Sequence, residues 1–315
     1  MKILYISPRY DGGIGGHAKR VAEKLREYDH DITLMVIPHV PIKKLKNPSF
    51  TLFGILKALV NREKYDVVHA WNIPSAFIMK KIKAKKKVLS VHGIYGQQVE
   101  QIHSKTIGKI GKKAEEKAFQ IPDVFTTDSK YVQNFYKNKL ELDFIHLSAP
   151  LDISKFQEIK NSEKKKNQII YIGRDSFEKG IDILKKIENK IDGKVVYCTD
   201  SPWDETMKKL KESTILVVPS RMESIPQVIK EAFYLKIPVI ATNVGGISEL
   251  IKNGETGILV ESKNFSSLLD EINQLLKNTI LQKKLSENGH KFIIENYTWD
   301  SLYPKYIDFY QNLIK

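Results

Sequence analysis

Short apolar runs punctuate this chain, and the stretches between them carry helix-like periodicity. In the first half the runs are Ile3–Ser7, Ile32–Ile37, Val67–Ala70, Val88–Val91 and Val124–Thr126. In the second half they are Ile169–Ile172, Lys194–Cys198, Ile215–Val218, Pro238–Ala241 and Gly257–Val260. Helical patterns separate most of them, so the strands they predict run parallel and are joined by right-handed crossovers. Two doubly wound α/β domains follow. After Phe156 the stretch QEIKNSEKKKNQ is polar and charged without apolar periodicity, which marks a linker and a first domain over residues 1–156.

At 315 residues and 42% hydrophobic content, the chain is long enough for each domain to bury its own core. No apolar run approaches the roughly 20 residues of a membrane span. The longest candidate, Phe50 to Val60, is interrupted by Lys57. MKILYIS lacks a signal-peptide layout and reads directly as a first strand. A single cysteine, Cys198, excludes an internal disulfide framework and a cysteine-rich metal site, and makes the cytosolic side the default compartment.

The formal charge of +14 is unevenly spread. Residues 1–150 hold 26 Lys/Arg against 14 Asp/Glu, and residues 151–315 hold 25 against 23. The basic excess belongs to the first half, in IKKLK, KKIKAKKK and KTIGKIGKK. It is either solvated surface or a face attracted to anionic headgroups or a phosphorylated acceptor. Within it, Ser49 to Val60 places Phe50, Phe53, Leu56 and Val60 on roughly one helical face with Lys57 beside them. No nucleic-acid reader motif accompanies the charge, so no specific nucleic-acid partner is expected.

Candidate chemistry concentrates in residues 219–249, PSRMESIPQVIKEAFYLKIPVIATNVGGISE. Glu223 and Glu231 stand eight positions apart, with Pro226 just before the helix that would carry the second. Glu223 then lies in the loop entering that helix at its N–H-rich end, and Glu231 lies in the second turn. A buried strand follows and breaks at Gly245-Gly246 into a new helix, an arrangement suited to phosphate. Near the start, Pro8 to His17 reads PRYDGGIGGH and leads into an amphipathic helix. Its glycines let backbone N–H groups approach an anion, although a tight strand-to-helix turn needs them equally. YIGRDSFEKGID sets Arg174 and Lys179 on the turn between a strand and a helix, either as a clamp for a pyrophosphate or as surface ion pairs. His92, in VLSVHGIYG, ends a strand, as does His69 in DVVHAW; Ser129 opens a helix, where N-capping alone explains it.

These segments together resemble the retaining family 4 glycosyltransferases. The family signature in its E-G-M-P-N-V-L-L-E-A form, followed by G-x-P-V-I-A-x-x-x-G-G-x-x-E, aligns with Glu223, Pro226, Val228, Glu231, Ala232, Pro238, Val239, Ile240, Ala241, Gly245, Gly246 and Glu249. Gly173, Arg174, Lys179 and Gly180 match G-R-x-x-x-x-K-G, and the early glycine loop matches G-G-x-x-x-x-x-x-L. The resemblance implies a GT-B fold: two Rossmann-like domains facing across a cleft, residues 157–298 forming the nucleotide-sugar domain, and a C-terminal helix over 299–315 crossing back to the first domain. It implies that Glu231 holds the donor ribose hydroxyls and that Glu223, with Ser224 and Ile225 beside it, sits near the transferred sugar. Arg174 and Lys179 would bind the pyrophosphate and offset its growing charge. Gly15 and Gly16 would line the donor site, and His92 would lie near the transferred sugar.

No D-x-D element follows a strand and no His/Asp/Glu cluster has metal-ligand spacing along the sequence, so metal-independent transfer without a cofactor is expected. The expected partners are a nucleotide-sugar donor, a glycan or lipid-linked acceptor and an anionic membrane touched peripherally from the cytoplasmic face. A catalytically silent relative that binds nucleotide sugar or glycan as a scaffold is the alternative; retention of both glutamates and both cations argues against it. The chain departs from the family in two places. Its second domain is short, so the base pocket is expected from Cys198 to Trp203, and the hinge motif N-G-V-D-x-x-x-F becomes Ala149-Pro150-Leu151-Asp152 through Phe156.

Overall fold

The computed structural model describes residues 1–8, 13–42, 45–97, 105–159, 162–262 and 264–315, the side chains of 105–107 excepted. The chain divides into two compact units. Unit 1 comprises residues 1–150 and 304–315, and unit 2 comprises residues 151–303.

Unit 1 alternates strands and helices: β1 (Lys2–Ile6), α1 (Gly13–Arg26), β2 (Asp31–Met35), α2 (Lys46–Val60), β3 (Lys64–Ala70), α3 (Ile73–Met79), β4 (Lys83–Ser90), α4 (Lys105–Ala118), β5 (Val124–Thr127), α5 (Lys130–Leu140) and β6 (Phe144–His146). The strands form one parallel sheet in the order β2-β1-β3-β4-β5-β6. Because β2 pairs on one side of β1 and β3 on the other, the order reverses between β1 and β3. In sheets of this kind that is where strand ends open to a ligand. Strand β6 was not expected from the sequence. Of its three residues only Phe144 is buried, and Ile145 faces out, so no apolar run announces it.

Unit 2 holds β7 (Gln168–Ile172), α6 (Ile181–Ile187), β8 (Lys194–Cys198), α7 (Trp203–Glu212), β9 (Ile215–Val218), α8 (Gln227–Tyr234), β10 (Val239–Thr242), α9 (Ile247–Leu250), β11 (Ile258–Val260), α10 (Phe265–Lys277) and α11 (Thr279–Tyr297). Its parallel sheet runs β11-β10-β9-β7-β8, which places the reversal between β7 and β9. Strand β9 shows why such strands read as unbroken apolar runs. Ile215 and Val217 enter the core on one face of the sheet, while Leu216 and Val218 enter the core on the other.

The division falls after Pro150 and not after Phe156, because Leu151 and Phe156 join the core of unit 2. The Leu151 N–H donates to Tyr297 O at 2.7 Å. Helix α12 (Trp299–Ile314) contains Pro304, and from there onward it belongs to unit 1. Two buried phenols hold it there. Tyr310 Oη bonds both Tyr5 Oη (2.6 Å) and His69 Nδ1 (2.7 Å), and Tyr306 Oη donates to Ser148 O (3.1 Å). Among the described residues no helix is long and apolar enough to cross a membrane.

Candidate active site

In unit 2 the loops after β7 and β9 leave the sheet at the strand-order reversal and are fastened to one another. The Arg221 N–H donates to Glu178 O at 2.9 Å, and its guanidinium makes two 2.7 Å bonds to the Asp182 carboxylate while lying 4.0 Å over the Phe177 ring. Arg221 also holds the Asp182 carboxyl below its usual range, the hydrogen bond being the main cause. Gly180, at φ +69°, comes so near the Pro219 carbonyl that a Cβ would fall on it. Gly245 (φ +56°) and Gly246 approach the carbonyls of Glu223 and Ser224 in the same way. Only a residue without Cβ tolerates that backbone path together with that contact.

This fastening brings Lys179 to Glu223. The ammonium donates to Glu223 Oε1 at 2.5 Å, and Ser220 Oγ donates to the same oxygen at 3.1 Å. Glu223 is 10% exposed and Lys179 25%, so the pair is partly withdrawn from water and its attraction is stronger than that of a surface pair. Beside it, Ser224 Oγ is buried without a hydrogen-bond partner, as is Ser176 Oγ on the loop after β7. Buried hydroxyls are seldom left so, and these offer polar contact to a ligand. The Ile225 side chain packs in the core, leaving only its backbone for a donor. Arg174 does not join Lys179: its guanidinium bonds Glu178 Oε1 at 3.1 Å and its side chain is 68% exposed.

Glu231 lies in the second turn of α8, where Oε1 accepts from Trp203 Nε1 at 2.9 Å. The carboxylate expected at the ribose thus touches a residue expected at the base. Helix α8 starts after Pro226 without a side-chain cap, so its first N–H groups stay open to an anion or water. Burial pushes the Cys198 thiol up, which keeps it from acting as a nucleophile.

In unit 1, Gly15 and Gly16 are buried within the first turn of α1, not in a loop ahead of it. The preceding part of that motif, Arg9 to Gly12, lies outside the described residues. His92 follows β4. Its Nδ1 stands 3.1 Å from Asp128 Oδ1, and its Nε2 is buried without a partner. The ring stacks on Trp71 at 5.9 Å with 7° between the planes. His17, Trp71 and His92 thus sit at the ends of the elements around the strand-order reversal. His69, by contrast, is structural. Its Nδ1 meets Tyr310 and its Nε2 meets Ser90 Oγ at 2.6 Å, and burial holds it well below the usual histidine range, so it stays neutral. Ser129 caps α5 by accepting the Val132 N–H at 3.4 Å.

Sequence reading missed His17 and Asp128. The first directly follows Gly16 and the second precedes the capping serine, yet nothing in their spacing links them to His92. Ligand atoms of His17, His92 and Asp128 lie within 4.8 Å of one another, a cluster the sequence reading did not contain. Two imidazoles and a carboxylate are donors that suit zinc. Here His17 Nε2 bonds Tyr306 Oη at 3.2 Å and His92 Nδ1 faces Asp128, so each already has a protein partner.

Comparison with known proteins agrees with the folds and with these motifs. Residues 11–147 match the model described as Glycosyltransferase Family 4 and residues 185–292 the model described as Glycosyl transferases group 1, together more than three quarters of the chain. An uncharacterised glycosyltransferase of Methanocaldococcus jannaschii is 26% identical over 95% of each chain. Among solved structures, sucrose-phosphate synthase from Thermosynechococcus elongatus superposes with a TM-score of 0.83 at 15% identity, covering 99% of each chain. Anabaena HepE in complex with UDP-glucose does so with 0.72 at 16% identity, covering 99% of this chain and 100% of that one. The fold is GT-B, and with these motifs it defines a glycosyltransferase that uses a nucleotide-sugar donor. The chain belongs to glycosyltransferase family 4, whose members retain the anomeric configuration of the donor sugar.

Proposed function

We propose that this enzyme transfers a sugar from a UDP-sugar to a hydroxyl of a glycan or lipid-linked acceptor, without a metal ion, at the cytoplasmic face of a membrane. The observation that carries the reading is the Lys179–Glu223 contact on two loops fastened at Gly180, with Gly245 and Gly246 of the loop after β10 seated against Glu223 and Ser224. The likeness to the UDP-glucose complex supports uridine as the base. In this reading the Lys179 ammonium turns from the Glu223 carboxylate to the leaving pyrophosphate as negative charge grows there, and Arg174 swings in from its exposed pairing with Glu178. Glu231 holds the ribose hydroxyls, Glu223 and Ser224 lie by the transferred sugar, and the first turn of α1 with Gly15 and Gly16 supplies backbone N–H groups. His92 contacts a sugar hydroxyl through Nε2. The leaving phosphate takes the acceptor proton on the face it departs from, so the protein orients reactants and stabilises charge.

The test is a thermal-shift screen of nucleoside diphosphates, followed by turnover with the matching sugar donors in EDTA. UDP raises the unfolding temperature more than ADP or GDP, because a ligand that binds only the folded state stabilises it. Transfer continues under chelation with retained configuration by NMR. A stronger shift from another base overturns the choice of uridine, and activity that EDTA abolishes and Mg²⁺ restores overturns metal independence.

A further inference from the structure

Helix α2 buries little of itself. Phe50, Gly54 and Ala58, spaced by four, form its inner row, and a Cβ on Gly54 would collide with the Ile78 side chain of α3. That close approach turns the rest of the helix outward. Leu52 (56% exposed), Phe53 (38%), Leu56 (55%), Leu59 (62%) and Val60 (76%) form a second row at helical spacing. Leu45, Ile42 and Val36 are also exposed in the segment leading to it, and the Lys57 ammonium ties the helix to that segment by donating to Val36 O at 3.0 Å. Of the nineteen large hydrophobic residues exposed among those described, eight fall between Val36 and Val60. Single exposed apolar side chains are ordinary, whereas a contiguous group of this kind is an interaction surface.

The charge around the group says what kind of surface it meets. No acidic residue occurs between Asp31 and Glu63, while Lys46, Lys57 and Arg62 do. Glu63, the first acid to follow, is engaged by Lys2 at 2.8 Å. Next to it in the sheet, exposed Lys64 pairs in register with exposed Lys83. An apolar row set among cations and free of anions is complementary to a surface that is apolar beneath and negative on top. An anionic bilayer has both layers.

We propose that the outward face of α2 docks this enzyme on an anionic lipid bilayer. Leu52, Phe53, Leu56, Leu59 and Val60 enter the boundary between headgroups and acyl chains, and Lys57, Arg62 and Lys64 lie against the headgroups. This rests on exposure and charge in unit 1 and does not depend on the donor or its base.

The experiment is sedimentation of the full chain with vesicles of phosphatidylcholine alone or mixed with phosphatidylglycerol, at low and at physiological salt. The wild type binds the mixed vesicles, binds neutral ones at least tenfold more weakly, and loses affinity as salt rises. The triple variant Leu56→Gln/Leu59→Gln/Val60→Gln loses at least a further tenfold while its thermal unfolding and its response to nucleoside diphosphates stay at wild type, because the three side chains are exposed. Absence of binding to anionic vesicles at low salt overturns the proposal. So does equal binding by wild type and variant, or equal binding to neutral and anionic vesicles. A wild-type dimer that the variant abolishes, with no vesicle binding, assigns the face to a second copy and also overturns it.

Discussion

Replacing Lys179 by Met keeps the side chain's bulk and removes its charge, and the structure separates two consequences. The first concerns stability. Glu223 is 10% exposed and has the ammonium at 2.5 Å and Ser220 Oγ at 3.1 Å on one oxygen. Stripping the cation from a fully buried pair costs about 3–5 kcal/mol. Lys179 keeps a quarter of its surface in water, so screening reduces the cost to about 1–3 kcal/mol. The second consequence concerns rate. Losing a charge-assisted contact made in the transition state costs roughly 2–4 kcal/mol of barrier, or about 30- to 1000-fold in turnover. The double variant Lys179→Met/Glu223→Gln, measured beside Glu223→Gln alone because Glu223 itself lies by the transferred sugar, tells the two apart. It removes the orphaned charge, so urea unfolding returns to within about 1 kcal/mol of wild type, while turnover stays as low as in the single variant. Recovery of both stability and turnover would refute the reasoning, because Lys179 would then serve only to neutralise Glu223.

Three further outcomes are expected. Gly245→Ala combines a positive φ with a clash against the Glu223 carbonyl and destabilises the protein by more than 1 kcal/mol, about 2–4 by chemical unfolding; a cost below 0.5 kcal/mol contradicts the backbone argument. Asp128→Asn removes the negative charge facing His92 Nδ1 and brings an amide N–H donor to the same place, which lowers kcat by roughly tenfold or more, with a changed His92 tautomer seen by nitrogen NMR; an unchanged tautomer and rate remove Asp128 from the mechanism. Burial raises the Glu115 pKa against hydrogen bonds from Tyr136 and from the Tyr95 and Gly96 backbone. A raised folded-state pKa gives stability that is present below the ordinary glutamate value and lost as pH rises through the folded value. Glu115→Gln therefore gains stability relative to wild type between acid and neutral pH, and parallel urea midpoints across that range would contradict it.

The strands of unit 2 were legible because burial on both faces makes a strand continuously apolar, as Ile215 to Val218 show. The same logic hid β6, where a three-residue edge strand buries one side chain. For α2, periodicity located an amphipathic helix but grouped Phe50 with residues of another face. Phe50 goes inward with Gly54 and Ala58, while Phe53, Leu56 and Val60 of the expected face stay outside. A sequence with apolar residues on two sides of a helix does not say which side is covered, and the deciding contact, Gly54 on Ile78, is made with another helix. At the candidate site the eight-residue spacing of Glu223 and Glu231 and the motif match of Arg174 and Lys179 singled out candidates, and the motif glycines explain why Lys179 and Glu223 can meet. The His17–His92–Asp128 cluster was illegible, because residues so far apart in sequence meet only once the sheet has formed.

The tyrosines of α12 also bear on how the chain is made. Unit 1 keeps a hydroxyl partner for Tyr5 and for His69 on Tyr310, which is translated after the whole of unit 2. A ribosome delivers the whole of unit 2 between the two parts of unit 1, which at about 5–20 residues per second takes roughly 8–30 s. During that interval Tyr5 and His69 lie beside an unfilled slot, so unit 1 is a nascent structure waiting for the tyrosines of α12. A release or truncation before Tyr306 leaves that slot open, and the first half of the polypeptide is then not a separable product of the gene.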